Sequence, residues 1–209
     1  MAISLEHTAY KFILEKANDL SPVLFNVIQA LGPTGFPPKK FTSLHLALIK
    51  VIIGQQLSPN AAKSIWGSLE RLDSSLSNQD MSSLFQECHI SKIKSCGVSH
   101  QKARAILEVM DYFNCNPSSE CVLKEFTHNE RVSELTKIWG VGNWSVEMLS
   151  IFYFHDPDIW PTHDGALNKA ISLISDTSKL NQPQIHFTPY CSMFALMMWR
   201  AMDEELLLS

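Results

Sequence analysis

Apolar residues recur at spacings of three and four along most of the chain, a helical period interrupted by short Gly, Pro, Ser and Asn clusters. Ser21-Pro22 opens a helix that Gly32-Pro33 closes, with proline inside the start and glycine past the end. Thr42 is placed to cap a second start. Ser58-Pro59 repeats the cap-plus-proline signal and begins a helix over 58–71, with Ala61, Ala62, Ile65 and Leu69 on one face. Asp80 and Ser99 are further caps. After Ser99, the residues Ala103, Ile106, Leu107, Met110 and Phe113 form a core stripe, and Lys102 and Arg104 lie off it. A helix from Asn129 or Glu130 stops at Gly140, another runs over about 143–154, and the last clear one follows Thr188-Pro189 and ends near Asp203. The pattern relaxes over N-C-N-P-S-S-E, so the seam between lobes is expected within 114–130. There is no internal repeat, and the period predicts an all-α fold.

With 209 residues, 45% apolar and 18% charged, the chain has the balance of a globular protein that can bury a sizeable core. No stretch approaches the ~20 apolar residues of a spanning helix: L-A-L-I-K-V-I-I at 46–53 is the longest candidate and holds Lys50 in its middle. The start, M-A-I-S-L-E-H-T, lacks the basic residues and apolar run of a secretory signal, so an intracellular protein is expected, in a prokaryotic cytoplasm or a eukaryotic nucleus. Five scattered cysteines, Cys88, Cys96, Cys115, Cys121 and Cys191, contain no C-x-x-C pair and predict neither a disulfide framework nor a structural zinc site. A net charge of −4 is unpromising for a polyanion partner, but its distribution is uneven. From Lys39 to Arg104 nine basic residues face four acidic ones, while the rest of the chain is strongly acidic, an asymmetry compatible with one nucleic-acid face.

The richest region is L-T-K-I-W-G-V-G-N-W-S-V-E-M-L-S-I-F-Y-F, residues 135–154, followed by Asp164 in W-P-T-H-D-G-A-L. Two helices meet at Gly140-Val141-Gly142. Glycines at both ends of a tight hairpin permit positive φ and close backbone approach, and Val141 is placed to plug the space between the helices. The second helix then starts with unpaired N–H groups and the positive end of its dipole, a site suited to a backbone phosphate.

This stretch resembles the helix-hairpin-helix DNA glycosylase superfamily, whose signature is such a hairpin followed by an aspartate about twenty residues on. Phe41 and Leu44 with I-I-G-Q-Q-L-S-P-N-A-A, then C-G-V-S-H-Q-K-A-R at 96–104, and finally P-Y-C-S-M-F-A-L-M-M-W-R are similar to the alkylpurine branch, the 3-methyladenine DNA glycosylase II type. The four motifs occur in order over roughly 41–200. Cys191 stands where that branch usually carries Arg, and Q-I-H-F-T-P-Y lacks its usual Trp. The resemblance implies two helical lobes around a central cleft: a single catalytic unit over 1–209, with lobes of 1–40 plus the C-terminal helices and of 41–130, and the hairpin at about 130–155.

The resemblance also implies the roles. Asp164 is the catalytic carboxylate, stabilising the oxocarbenium-like sugar or orienting water, and its place at a helix start favours the ionised form. Trp144 and Trp160, then Tyr153 and Phe154, are candidates for the wall of a pocket for a cationic alkylated base. Gln56, with Leu57 next, is the wedge that fills the stack when the nucleotide rotates out. Gly140, Val141 and Gly142 with Lys102 and Lys92 are the expected phosphate contacts. His163, beside Asp164, is not needed for the chemistry.

Bifunctional relatives carry a lysine two residues past the second hairpin glycine, where this chain has Trp144, and the iron–sulfur type needs four C-terminal cysteines, where Cys191 stands alone. The expectation is therefore a monofunctional enzyme with neither metal nor iron–sulfur cluster, apart from a monovalent cation that the hairpin carbonyls are suited to hold. Its partner is double-stranded DNA containing a damaged base, its target alkylated purines with 3-methyladenine first, its setting base excision repair, and its state a monomer. The competing readings are a glycosylase for uracil, hypoxanthine, ethenoadenine, oxidised bases or mismatched thymine, a non-catalytic hairpin DNA-binding module, and a helical scaffold whose tryptophans are all core.

Overall fold

Side-chain caps set where the helices begin. In the computed structural model, which describes residues 4–41, 43–76, 81–174, 180 and 182–207, Ser4 caps α1 (Leu5–Leu20), Ser21 caps α2 (Pro22–Leu31), and Ser58 caps α4 (Pro59–Ser75). Ser99 likewise caps α6 (His100–Cys115), accepting from the Lys102 amide at 3.3 Å. Each hydroxyl takes one of the first-turn N–H groups that a helix cannot satisfy internally. Between Ser43 and Gly54, α3 (Leu44–Gly54) lacks a serine cap; the Leu44 N–H instead donates to Glu120 Oε2 at 3.1 Å, so a carboxylate from α7 (Ser119–Glu125) serves its positive end. Thr42 and Asp80, two expected caps, lie outside the described residues.

All regular elements among the described residues are helical. The chain divides into two compact units, residues 39–149 and residues 1–38 with 150–209. The expected seam at 114–130 falls inside the first of these, where α7 joins the unit through Glu120. In the 39–149 unit α3 is buried on nearly every side through Leu46, Leu48, Ile49, Ile52 and Ile53, and packs on α4, α6 and α9 (Asn143–Leu149). α5 (Ile90–Ser95) packs on α6, and α8 (His128–Leu135) on α9.

In the other unit the central element is α12 (Cys191–Asp203), packed on α2, on α10 (Gly165–Leu173), on α1 and on α11 (Pro183–Phe187). Phe194 stacks on Phe187 at 3.8 Å, and Met193, Met197 and Met198 are fully buried. Such side chains contribute roughly 1.5–3 kcal/mol each on burial. Arg200 Nη1 donates to the Leu31 carbonyl at 2.8 Å, closing the end of α2.

Three details differ from the sequence reading. The helix expected from Asn129 or Glu130 to Gly140 starts earlier, with a Thr127–Glu130 capping box, and ends at Leu135. On α6 the buried residues are Ala103, Ala105, Ile106 and Val109; Leu107, Met110 and Phe113 are half-buried, because Ala105 rather than Leu107 faces the hairpin. The helix expected over 143–154 is α-helical only to Leu149 and widens into a π turn at Ser150–Phe154.

Candidate functional site

The hairpin is built in the 39–149 unit by close approach. Gly140 has φ +87°, and a Cβ there would collide with the Cβ of Ala105, so both its backbone conformation and its neighbour require glycine. Gly142 departs from expectation: its φ is not positive and a Cβ would meet nothing within 4 Å. Val141 is buried, and its N–H donates to the Ile138 carbonyl at 3.1 Å. The chain then enters α9, with the Ser145 and Val146 amides donating to the Gly142 carbonyl at 2.9 and 3.2 Å.

Gln56 and Leu57 sit in the turn between α3 and α4, both exposed. Gln55 has φ −50° and ψ 129°, Gln56 has φ +55°, and the Leu57 amide donates to the Gly54 carbonyl at 3.2 Å, a type II turn. The left-handed position ordinarily favours glycine, yet it carries a long polar side chain aimed away from the helices' packing. Lys92 is exposed on α5. Lys102 is not free to reach outward: its Nζ donates to the carbonyls of Ile53 and Gln55 at 2.7 and 2.8 Å. The phosphate role expected of Lys102 is therefore replaced by a helix-capping one. Burial also pushes its pKa below the ordinary lysine value.

Two residues here escaped the sequence reading. Gln55 Nε2 donates to the Gly140 carbonyl at 3.1 Å and to Ser145 Oγ at 2.9 Å, tying the turn to the hairpin. Trp139, next to Gly140, is 41% exposed and lies under the Arg104 guanidinium at 4.1 Å. Trp144 is half-buried in the first turn of α9.

Asp164 belongs to the other unit. It is the N-cap of α10, and only 8% of it is exposed. Its Oδ1 accepts from the Leu167 amide at 2.9 Å and from Trp199 Nε1 at 3.1 Å. Both donors and the positive end of α10 thus converge on this carboxylate. The segment leading to Asp164 is fastened to the start of α12: the Cys191 amide donates to Asp158 Oδ1 at 3.2 Å, and Ile159 exchanges hydrogen bonds with Ser192 Oγ at 2.9 and 3.3 Å. Cys191, standing where an arginine was expected, is 1% exposed, and its thiol is pushed up to about 12 by burial and by Asp158.

The aromatic residues rearrange the expected pocket. Trp160 is half-buried and stacks on Phe194 at 5.5 Å, so it packs on the core. Tyr153 is 6% exposed and meets Phe154 edge-on at 5.2 Å. The exposed aromatic of this segment is Phe152, 39% accessible and stacked on Trp199 at 5.7 Å. The π turn changes the phase: each residue advances less around the axis than in an α-helix, and Phe152, three residues after buried Leu149 and four after buried Met148, comes out exposed. Phe152, Trp199 and the Asp164 carboxylate thus form a connected set, and His163 is exposed beside it.

No protein-family model matches the chain. Among curated proteins it is similar to the alkylbase DNA glycosidase-like protein mag2 of Schizosaccharomyces pombe, 25% identical over 185 residues, covering 84% of this chain and 85% of that one. It is also similar to DNA-3-methyladenine glycosylase 1 of the same yeast, 28% identical over 122 residues, covering 56% of this chain and 51% of the relative. Among solved structures it matches the S. pombe 3-methyladenine DNA glycosylase in complex with abasic DNA, with TM-score 0.79, 18% identity and coverage of 94% and 97% of the two chains. A DNA-3-methyladenine glycosidase from Bacillus halodurans gives TM-score 0.70, 23% identity and coverage of 98% and 95%. The chain shares the fold of these two 3-methyladenine DNA glycosylases and is similar in sequence to the two S. pombe glycosylase-type proteins.

The position two past the second hairpin glycine is Trp144, which carries no amine. The hairpin offers neutral carbonyl oxygens, the ligand type a hard cation takes. The Ile138 and Gly140 carbonyls each already accept one protein donor, from the Val141 amide and Gln55 Nε2, and Gly142 accepts two, from the Ser145 and Val146 amides, so a monovalent cation fits only through the second lone pairs of Ile138 and Gly140. Among the described residues there is no cluster of His, Cys, Asp and Glu suited to a metal ion, and no helix long and apolar enough to cross a membrane.

Proposed function

We propose that the chain is a monofunctional DNA glycosylase that removes alkylated purines, 3-methyladenine first, from double-stranded DNA in base excision repair, acting inside the cell as a monomer. The observation that carries this reading is the buried Asp164 carboxylate, held by Leu167 N–H and Trp199 Nε1, with the exposed Phe152 ring stacked on the same Trp199. A carboxylate fixed beside an aromatic face suits a cationic base on a sugar that becomes cationic. The aromatic face attracts the alkylated purine more than its neutral parent. Asp164 stabilises positive charge on the sugar as the N-glycosidic bond lengthens.

In the reaction the C1′–N bond breaks and its electron pair leaves with the base, cancelling the alkylpurine's charge. Water adds to C1′ and gives up a proton, leaving an abasic site. Because the leaving base is already cationic, no strong general acid is required. Gln56 is the wedge that occupies the vacated stack, and the hairpin residues Gly140–Gly142 with Lys92 are the phosphate contacts. A monovalent cation on the hairpin carbonyls is part of the reading as a phosphate-side charge, with no chemical step assigned to it. Trp144 in place of a nucleophilic lysine supports hydrolysis without strand cleavage.

The test is release of free bases from methylated genomic DNA, separated by chromatography, with Asp164→Asn as control. Release of 3-methyladenine by the wild type alone is expected. If neither protein releases a base while the wild type still binds duplex, the alkylpurine reading fails, and oligonucleotides carrying uracil, hypoxanthine, ethenoadenine or oxoguanine separate a glycosylase for another lesion from a binding module. Borohydride trapping is expected to give no protein–DNA adduct, and a clear adduct restores a lyase.

A further inference from the structure

The turn that carries Gln56 is held in a conformation it would not choose by itself. Type I and type II turns differ by a flip of their central peptide, here the one between Gln55 and Gln56. In type I the third residue takes an ordinary negative φ; in type II it must take the left-handed conformation that Gln56 shows at φ +55°. A turn with glutamine at that position would ordinarily settle as type I. The Gln55 carbonyl is the oxygen that swings when the peptide flips, and it accepts from the Lys102 ammonium at 2.8 Å. The same ammonium takes the Ile53 carbonyl at 2.7 Å, at the negative end of α3. On the other side of the turn, the Gln55 side chain donates to the Gly140 carbonyl and to Ser145 Oγ.

One face of α6 serves both anchors. Lys102 and Ala105 are three residues apart, hence neighbours on the helix surface; Ala105 abuts Gly140 while Lys102 grips the end of α3. Gln55 closes the ring from turn to hairpin. All five contacts lie in the 39–149 unit.

We propose that Lys102 and Gln55 are positioning residues for nucleotide flipping: Lys102 locks the Gln55–Gln56 peptide in the type II orientation, Gln55 fastens the turn to the hairpin, and Gln56 is thereby presented as a rigid wedge in register with the phosphate grip. This inference rests on the glycosylase reading. The two residues touch neither base nor sugar, and their effect falls on getting the nucleotide out of the stack. The lowered pKa of Lys102 is compatible with an ammonium withdrawn from water.

The experiment compares single-turnover excision of one alkylated purine, whichever the wild type releases fastest from methylated DNA, in two duplexes. In the first the lesion faces its normal partner; in the second it faces an abasic-site analogue, which leaves it poorly stacked. Lys102→Met keeps the aliphatic stem and removes the donor. It is expected to lose roughly 10- to 100-fold on the stacked lesion, the worth of a charge-assisted hydrogen bond, and to stay within a few-fold on the unstacked one. Gln55→Ala is expected to act in the same sense, and Lys102→Arg to recover much of the loss by keeping a cationic donor. Equal loss on both duplexes by folded Lys102→Met and Gln55→Ala, or no loss on either, overturns the proposal while the wild-type activity upholds the glycosylase reading. A wild type that excises neither lesion overturns both. If Lys102→Met does not fold, Gln55→Ala and Lys102→Arg decide by the same ratio.

Discussion

Asp164→Asn separates chemistry from folding because the structure shows what the asparagine keeps. Asp164 Oδ1 caps α10 through the Leu167 amide and accepts from Trp199 Nε1. An asparagine oxygen accepts both bonds, and asparagine equals aspartate as an N-cap. Only the charge is lost. With both bonds kept, the buried site is expected to lose no more than about 1 kcal/mol of stability, which for a chain of this size shifts the melting temperature by about 2–4 °C. At about 4 Å from the developing sugar cation and an effective dielectric near 20, the lost Coulomb attraction is about 4 kcal/mol, or about three decades in rate. The expected result is duplex affinity and melting temperature close to wild type with single-turnover base release down by about 10³. Release within ten-fold of wild type removes the carboxylate from the mechanism. A fall in melting temperature beyond about 5 °C would mean that the loss is structural. Asp164→Ala is a poor substitute, since it strands two buried donors that cost about 1–3 kcal/mol each.

Phe152→Ala removes the exposed face beside Asp164 and is expected to slow excision of a cationic alkylpurine by roughly 3- to 30-fold more than that of neutral ethenoadenine, from a cation–π contribution of about 0.5–2 kcal/mol; paired rate measurements on the two lesions check this, and equal losses refute the aromatic-pocket role. Gly140→Ala is expected to cost at least about 2 kcal/mol in denaturant unfolding through overpacking and a strained φ, and Ala105→Gly in the same chain is expected to relieve the collision with Ala105 but not the φ strain at +87°. For Cys191, whose folded pKa rises to about 12 from an ordinary 9.0, the sign is that of a group kept neutral by folding: its contribution to stability is full below about pH 9 and is lost as pH rises toward 12. At pH 8, alkylation followed by peptide mass spectrometry is expected to label the exposed Cys88, Cys115 and Cys121 and to spare Cys191 until the protein is unfolded.

The helix starts at Pro22, Pro59 and His100 were legible because a cap is local: a serine and the amide three residues on settle it within one turn. Asp164 as an N-cap was legible for the same reason. What the sequence concealed were choices made across distance. The start of α3 is served by Glu120, 76 residues away, and no local pattern encodes that bond. Lys102 lies off the apolar stripe of α6, and being off the stripe is all that periodicity can report. Whether an ammonium off the stripe meets water or the carbonyl end of another helix depends on how α3 and α6 pack.

The π turn shows the same limit more sharply. Tyr153 and Phe154 are aromatic pocket candidates in the sequence, while in the widened turn at Ser150–Phe154 Tyr153 is buried and Phe152 is exposed. A helix accepts such a turn only when something else fixes the geometry, and here Phe152 gains the Trp199 ring while Trp199 holds Asp164. While His155 and Glu205, also left-handed, carry no such role, two departures from local preference, a left-handed Gln56 and a π turn at Phe152, fall on residues assigned to wedge and base pocket. Each is a conformation that local energetics disfavour and that named tertiary contacts impose, which is the pattern expected where a side chain's direction matters more than its contribution to stability.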